Sequence, residues 1–357
     1  MGLMLAATLA AACDMLETPG QGGQEARQAV VHIETSIDDV PVATKATFQN
    51  EENYGIFACV SGGYTPYKAS LYNVRANKRL ATSGSNPNVY YYPNGWGYNY
   101  IGADGKPETG KNAGSNVFIL TERPKDNPSD PDVTADLFAY APWVEEANAS
   151  GPTAIPFTTT QQKNWMYAAE NGSSNQNLNP VDVSPLSATF TFQHAMARLV
   201  FRFKLRHDYD SGSEYLINTV SVARTDESVP LCASGTFNAI TGAFENMVMG
   251  NSLTLRSSYY ADVKTTDTWA AMEVYLVPME ISADDQLTFT FSTGGMSLHP
   301  FSLKRAHVQH GSSATYGFKA GYTYVFDFLM DNYLYLDGFS VNTTWTDDVP
   351  LGSGENI

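Results

Sequence analysis

The chain has 357 residues and a formal charge of -16, from 37 acidic against 21 basic side chains. Such an excess of carboxylates repels phosphate backbones and anionic headgroups, which argues against a nucleic-acid partner and against a basic membrane-binding surface. With 43% apolar residues the chain has material for a packed interior, and its length suits two domains of about 100–200 residues each.

Met1–Ala12 (MGLMLAATLAAA) is apolar, rich in small residues, and stops at Cys13. A helix needs about 20 residues to span a bilayer, so residues 1–12 read as the apolar part of a secretory signal. Leu9-Ala10-Ala11-Ala12-Cys13 has the form of a lipobox, in which the Cys13 thiol receives diacylglycerol, with palmitate expected among the acyl chains of the anchor. The alternative is an ordinary signal with an incidental cysteine. Residues 13–29 are rich in Gly, Gln and Glu and are expected to form a lipidated, flexible tether.

From Val30 the pattern changes to short alternating segments separated by Gly, Asn and Pro turns. Val31, Ile33, Thr35 and Ile37 alternate with polar residues, the period of a half-buried strand. Ser83–Ser115 is a loop rich in Asn, Gly and Tyr. Within it Tyr92, Trp96 and Tyr98 are candidates for stacking on sugar rings, with neighbouring Asn amides for the hydroxyls. Aromatics packing onto their own sandwich would give the same pattern. The runs Val117–Leu120 and Val274–Val277 are expected as strands buried on both faces.

Asn171–Pro185 has the Asn, Ser and Pro content of a connection, dividing the chain into domains at 30–180 and 186–357. Beyond it Phe190 and Phe192 alternate in one phase and Leu199, Phe201, Phe203 and Leu205 in the other. The flip near His194 implies a bulge or a corner. Further strands are expected at Leu287–Phe291 and Tyr322–Phe328. No amphipathic helix longer than about three turns stands out, so the fold class is all-β, two tandem β-sandwiches.

Motifs for chemistry are sparse. The sequence contains no GxSxG, GxGxxG, P-loop or HExxH pattern. His307 and His310 would need a helix to share a face, and the local sequence reads as strand and turn. His194 lacks a nearby nucleophile and reads as a core or corner residue. The pairs Asp38-Asp39, Glu145-Glu146 and Asp347-Asp348 fall in polar turns and read as solvated. Cys59 and Cys232 lie in different regions, and no disulfide is expected between them. No catalytic residue, metal site or cofactor is expected, and the chain does not read as an enzyme. A glycoside hydrolase would rest on carboxylate abundance alone.

Taken in order, several segments resemble the fimbrillin-like family, the lipoprotein pilus subunits and adhesins of anaerobic Gram-negative bacteria. They are the lipobox and tether, VHIETSI, NYGIFAC, DLFAYAPW (136–143), WMYAAE (165–170), FQHAMARLVFRF (192–203), VYLVP (274–278) and GYTYVFDFL (321–329). The resemblance implies transthyretin-like Greek-key sandwiches, an outer-membrane or cell-surface location, and assembly into fimbriae with other subunits. It also implies proteolytic loss of the first strand and its replacement by a strand from another subunit. Carried onto this chain, the displaced strand holds Val31, Ile33 and Ile37. The cut falls between Lys45 and Ala46, with Arg27 as the alternative. The donor strand holds Tyr333, Tyr335, Phe339 and Val341. Partners would be other fimbrial subunits and surface glycans or proteins, with membrane contact through the lipid alone. The competing reading is a lipid-anchored glycan-binding protein that does not polymerise.

Overall fold

The computed structural model describes residues 28–37, 53–78, 90–91, 100–101, 107–108, 118–121, 132–168, 186–207, 215–293, 296–297, 300–311, 315–331, 333–343 and 345. Alternation of apolar and polar residues makes strands of most of them, as the sequence leads one to expect.

The amino-terminal half carries β1 (Gln28–Ile37), β2 (Asn53–Val60), β3 (Val74–Lys78) and β4 (Tyr90–Tyr91). The short β5 (Tyr100–Ile101), β6 (Pro107–Glu108) and β7 (Phe118–Thr121) follow. Then come β8 (Ala135–Ala141), β9 (Ile155–Thr158), β10 (Met166–Ala168) and β11 (Leu186–His194). One eight-stranded sheet takes most of these in the order β4-β3-β2-β8-β10-β11-β1-β7. β1 therefore lies inside the sheet, parallel to β11 on one side and antiparallel to β7 on the other. A first core, with Val31, Ile56, Leu137, Phe190 and Phe192, covers one face.

Past His194 the phase of alternation flips because the chain changes sheets. β12 (Ala197–Leu205) joins a four-stranded sheet with β17 (Ala270–Leu276), β23 (Thr323–Met330) and β24 (Leu334–Asn342), in the order β17-β12-β23-β24. The corner at Ala195–Met196 is buried. Although β11 follows the expected connection at 171–185, it pairs with β10 and β1 of the first sheet. Facing the four-stranded sheet is another built from β13 (Tyr215–Arg224), β16 (Ser252–Val263), β19 (Leu287–Thr293), β20 (Met296–Ser297) and β21 (Phe301–Ser302). Between them lies the second core, where Phe201, Phe203, Phe289, Phe291, Phe326 and Phe328 interlock at edge and stacked angles.

The run Val274–Val277 departs from its expectation. Tyr275 is only half buried: it packs against the third core described below and stacks on Trp345 at 5.7 Å. Val274 and Leu276 enter the second core, while the opposite face of β17 is covered in part, Ala271 lying buried with Val200 and Val325.

A third core joins the halves. β14 (Cys232–Phe237) pairs with β15 (Phe244–Met249) and, across the chain, with β9. Trp165, buried to 1% exposure, packs there against Tyr140, Phe157 and Phe237. Phe57, Phe138, Ala195, Met196 and Val277 complete this cluster. A small pair of β18 (Met279–Glu280) and β22 (Gly317–Phe318) closes one end.

Candidate functional site

The elements expected to carry assembly are β1 and β24. Along β1, Val31 stands opposite Leu186, Ile33 opposite Ala188 and Ile37 opposite Phe192. Val31 is 3% exposed and belongs to the first core. A strand in this position supplies hydrogen bonds to two neighbours, so its loss would leave two open ladder edges flanking an apolar slot. Cys13, Arg27, Lys45 and Ala46 lie outside the described residues, as do Tyr92, Trp96 and Tyr98.

β24 is an edge strand paired with β23 alone. Its register slips at a bulge between Asp327 and Phe328 of β23, opposite Asp337. Because strand side chains alternate, the extra residue reverses the facing of everything beyond it. Leu334 and Leu336 point into the second core, and Tyr335 points outward beneath the Arg206 guanidinium at 4.3 Å. On the far side of the bulge, Phe339 and Val341 stand opposite Phe326 and Tyr324 of the core. Phe339 meets the His307 ring at 4.8 Å. The expected donor residues Tyr333, Tyr335, Phe339 and Val341 thus do not share one face of β24.

The histidines do not converge. His307 lies in the short 3-10 turn Arg305–Val308, and its Nδ1 accepts from the Lys304 backbone N–H at 3.1 Å. His310 pairs through Nε2 with the Gly317 carbonyl at 2.9 Å and contacts the Tyr324 hydroxyl at 3.3 Å. Burial holds both imidazoles below their ordinary range. His194 is a corner residue. Its ring stacks on that of Trp345, nearly parallel at 3.8 Å, and burial beside Arg198 pushes its pKa down to about 3. Among the described residues no group of three or more His, Cys, Asp or Glu could hold a metal ion. Cys59 and Cys232 are buried free thiols, and burial with the nearby Asp136 raises Cys59 to about 12.

Two features lay beyond sequence reasoning. Gln162, buried in the junction, exchanges hydrogen bonds with the backbone of Tyr275. An open, shallow cleft of about 410 Å³ is lined by Ser282, Ala283, Asp284, Arg305, Ala306, Gln309 and Tyr316. Its residues come from three separate segments, so no local pattern announces it.

Comparison with known proteins follows from this arrangement. The fimbrillin-like family model matches residues 128–332, more than half of the chain. The chain belongs to the fimbrillin-like family. Its fold is similar to that of a candidate cell adhesion protein from Bacteroides uniformis. That match has 15% identity and a TM-score of 0.50, and covers 89% of this chain and 98% of the other. A candidate cell adhesion protein from Bacteroides ovatus is similar at 12% identity, covering 89% and 99%, with a TM-score of 0.49. A tip fimbrial protein from Porphyromonas gingivalis is similar at 9% identity over 90% and 98%, with a TM-score of 0.37. Among curated proteins none matches the chain.

Proposed function

We propose that this fimbrillin-like protein is a fimbrial subunit or adhesin of the cell surface, exported as an outer-membrane lipoprotein through Cys13, that joins other subunits by strand exchange after losing β1. It is a structural and adhesive protein, not an enzyme. Family membership supports the fimbrial or adhesive role. What supports the exchange is the place of β1 between a parallel and an antiparallel neighbour, where its departure opens two ladders and an apolar slot together. In the sequence, a cut after Lys45 falls between β1, which ends at Ile37, and β2, which begins at Asn53, and so releases β1 whole. A cut after Arg27 precedes β1 and opens nothing.

The test is the intact mass and amino-terminal sequence of the protein from native cell-surface fractions, with a Lys45→Gln strain beside it. Exchange predicts an unlipidated species beginning at Ala46 in detergent-resistant polymers, and retention of β1 in the Lys45→Gln strain. A diacylated, unclipped monomer in both strains would sink it. That result would favour the second reading, a lipid-anchored glycan-binding protein that stays monomeric. The observation behind that reading is the pairing of β24 with β23 of its own chain, which occupies the segment a polymer would donate.

A further inference from the structure

The cleft at one end of the carboxyl-terminal sandwich has a chemistry unrelated to strand exchange. Its floor is held in place by backbone and amide contacts. The Gln286 side-chain oxygen accepts from the N–H groups of Ser282 and Ala283, each at 2.9 Å, and Asp285 N–H donates to the Leu303 carbonyl at 2.9 Å. Asp284 uses Oδ1 to accept from the Arg305 backbone N–H at 2.8 Å. Its Oδ2 has no partner among the described residues. The Arg305 guanidinium lies over Tyr316, its central carbon 3.9 Å from the ring centroid, while Tyr316 in turn packs against the second core. That stack fixes the direction in which the guanidinium faces.

The two bases beside the cleft differ in how they are paired. Lys304, the adjacent base, is paired with Asp285. Arg305 makes no ion pair among the described residues, and its Nε is buried without an acceptor. The terminal nitrogens are therefore what an incoming molecule meets. Beside them stand a carboxylate oxygen that needs a donor and the Tyr316 hydroxyl, which has no hydrogen-bond partner among the described residues.

A ligand that suits this set carries a carboxylate for Arg305 and hydroxyl donors for Asp284 on one small rigid frame. A neutral sugar would leave the guanidinium without an ion-pair partner. A planar carboxylate matches the guanidinium fork in two parallel hydrogen bonds, and ring hydroxyls supply the donor that Asp284 Oδ2 lacks. The cleft volume of about 410 Å³ is of small-molecule size. We propose that the Arg305–Asp284–Tyr316 cleft binds a hydroxylated carboxylic acid of the uronic-acid type, as displayed on acidic polysaccharides. No cleft residue belongs to β1 or β24, so the site does not depend on polymerisation, and its failure would leave the fimbrial reading untouched.

Titration of the purified unclipped chain by calorimetry or ligand-observed NMR tests this. The probes are methyl α-galacturonide, methyl α-galactoside, acetate and an N-acetylglutamyl amide. The expected result is binding of the uronide at least about tenfold tighter than each of the other three, a difference of about 1.4 kcal/mol. Arg305→Gln should abolish the preference and Arg305→Lys should keep part of it, since a lysine retains the charge without the planar fork. Asp284→Asn should weaken uronide and galactoside alike. Unchanged thermal melting of the variants keeps folding out of the comparison. Equal binding of the galactoside would make this a neutral-sugar site, equal binding of acetate a simple anion site, and tighter binding of the glutamyl amide a peptide site. Each of these overturns the proposal, as does an Arg305→Gln variant that binds the uronide as the parent does.

Discussion

Gln162 offers a direct test of how the two halves are joined. It follows the 3-10 turn Thr159–Gln161 in the left-handed conformation, with φ of 52° and 9% exposure. Its side-chain amide behaves like a peptide group added to the edge of β17. Oε1 accepts from the Tyr275 N–H at 2.8 Å, and Nε2 donates to the Tyr275 carbonyl at 3.2 Å and to the Thr159 carbonyl at 2.7 Å. Each buried hydrogen bond contributes about 0.5–1.5 kcal/mol net, so Gln162→Ala should cost about 2–4 kcal/mol. Gln162→Gly loses the same contacts but relieves about 1 kcal/mol of left-handed strain, and should be less damaging by that amount. Gln162→Glu should be worse than Ala, because a carboxylate cannot donate and is repelled by both carbonyls. Urea unfolding followed by tryptophan fluorescence, with calorimetry to see whether the single transition splits, gives these values. A loss below about 0.5 kcal/mol for Gln162→Ala would place it among inert surface changes and refute the bridging role.

Gly317 has φ of 143°, and a Cβ there would lie 2.2 Å from the Met279 carbonyl oxygen across the β18–β22 pair. Gly317→Ala should therefore cost about 3 kcal/mol in urea unfolding, and a loss under about 1 kcal/mol would mean the pair shifts freely. His194 has a folded pKa near 3 against an ordinary 6.5, so the unfolded chain binds the extra proton in that interval. Its contribution is complete above pH 6.5 and falls by at most about 1.4 kcal/mol per unit as pH drops toward 3. Stability of a His194→Phe variant should show a shallower slope in that window, and an unchanged slope would contradict the assignment.

What the sequence made legible was local. The alternation of Leu199, Phe201, Phe203 and Leu205 identified the inner face of β12, and all four are buried to 1% exposure or less. The phase flip near His194 was visible, yet its cause, passage from one sheet to another, needs partners distant in the chain. Nothing in β1 itself announces that it runs parallel to β11, because pairing between remote strands is set by the packing of whole faces. Tyr275 sat inside an apolar run that looked buried on both sides. A tyrosine is placed there by partners distant in the chain, the third core and Trp345, and by its hydroxyl donating to Glu273 at 2.7 Å. The cleft was invisible for the same reason, since Asp284, Arg305 and Tyr316 meet only through tertiary structure.

The bulge in β24 decides which of its residues can fill a slot left by β1. Read as a plain alternation, the strand offers Tyr333, Tyr335, Phe339 and Val341, with Asp337 forced onto the same apolar face. With the bulge retained, Leu334, Leu336 and Val341 pack on the second core, Phe339 stands opposite Phe326 at 47% exposure, and Asp337 is the residue left out of register. Four apolar side chains without an intervening carboxylate are the better match to a slot flanked by Ala188, Phe190 and Phe192. Losing β1 would open only that first core, since the second and third contain no residue from it among the described residues. A synthetic peptide of residues 331–343 added to clipped protein should therefore block polymerisation. A Leu336→Asp version should fail while a Tyr335→Asp version still blocks. Using a peptide keeps the subunit's own β24 intact, so folding defects do not enter the result. If the Tyr335→Asp peptide fails and the Leu336→Asp peptide blocks, β24 straightens on transfer and the plain alternation is the one that matters. If the unmodified peptide has no effect at any concentration, β24 is not the donor.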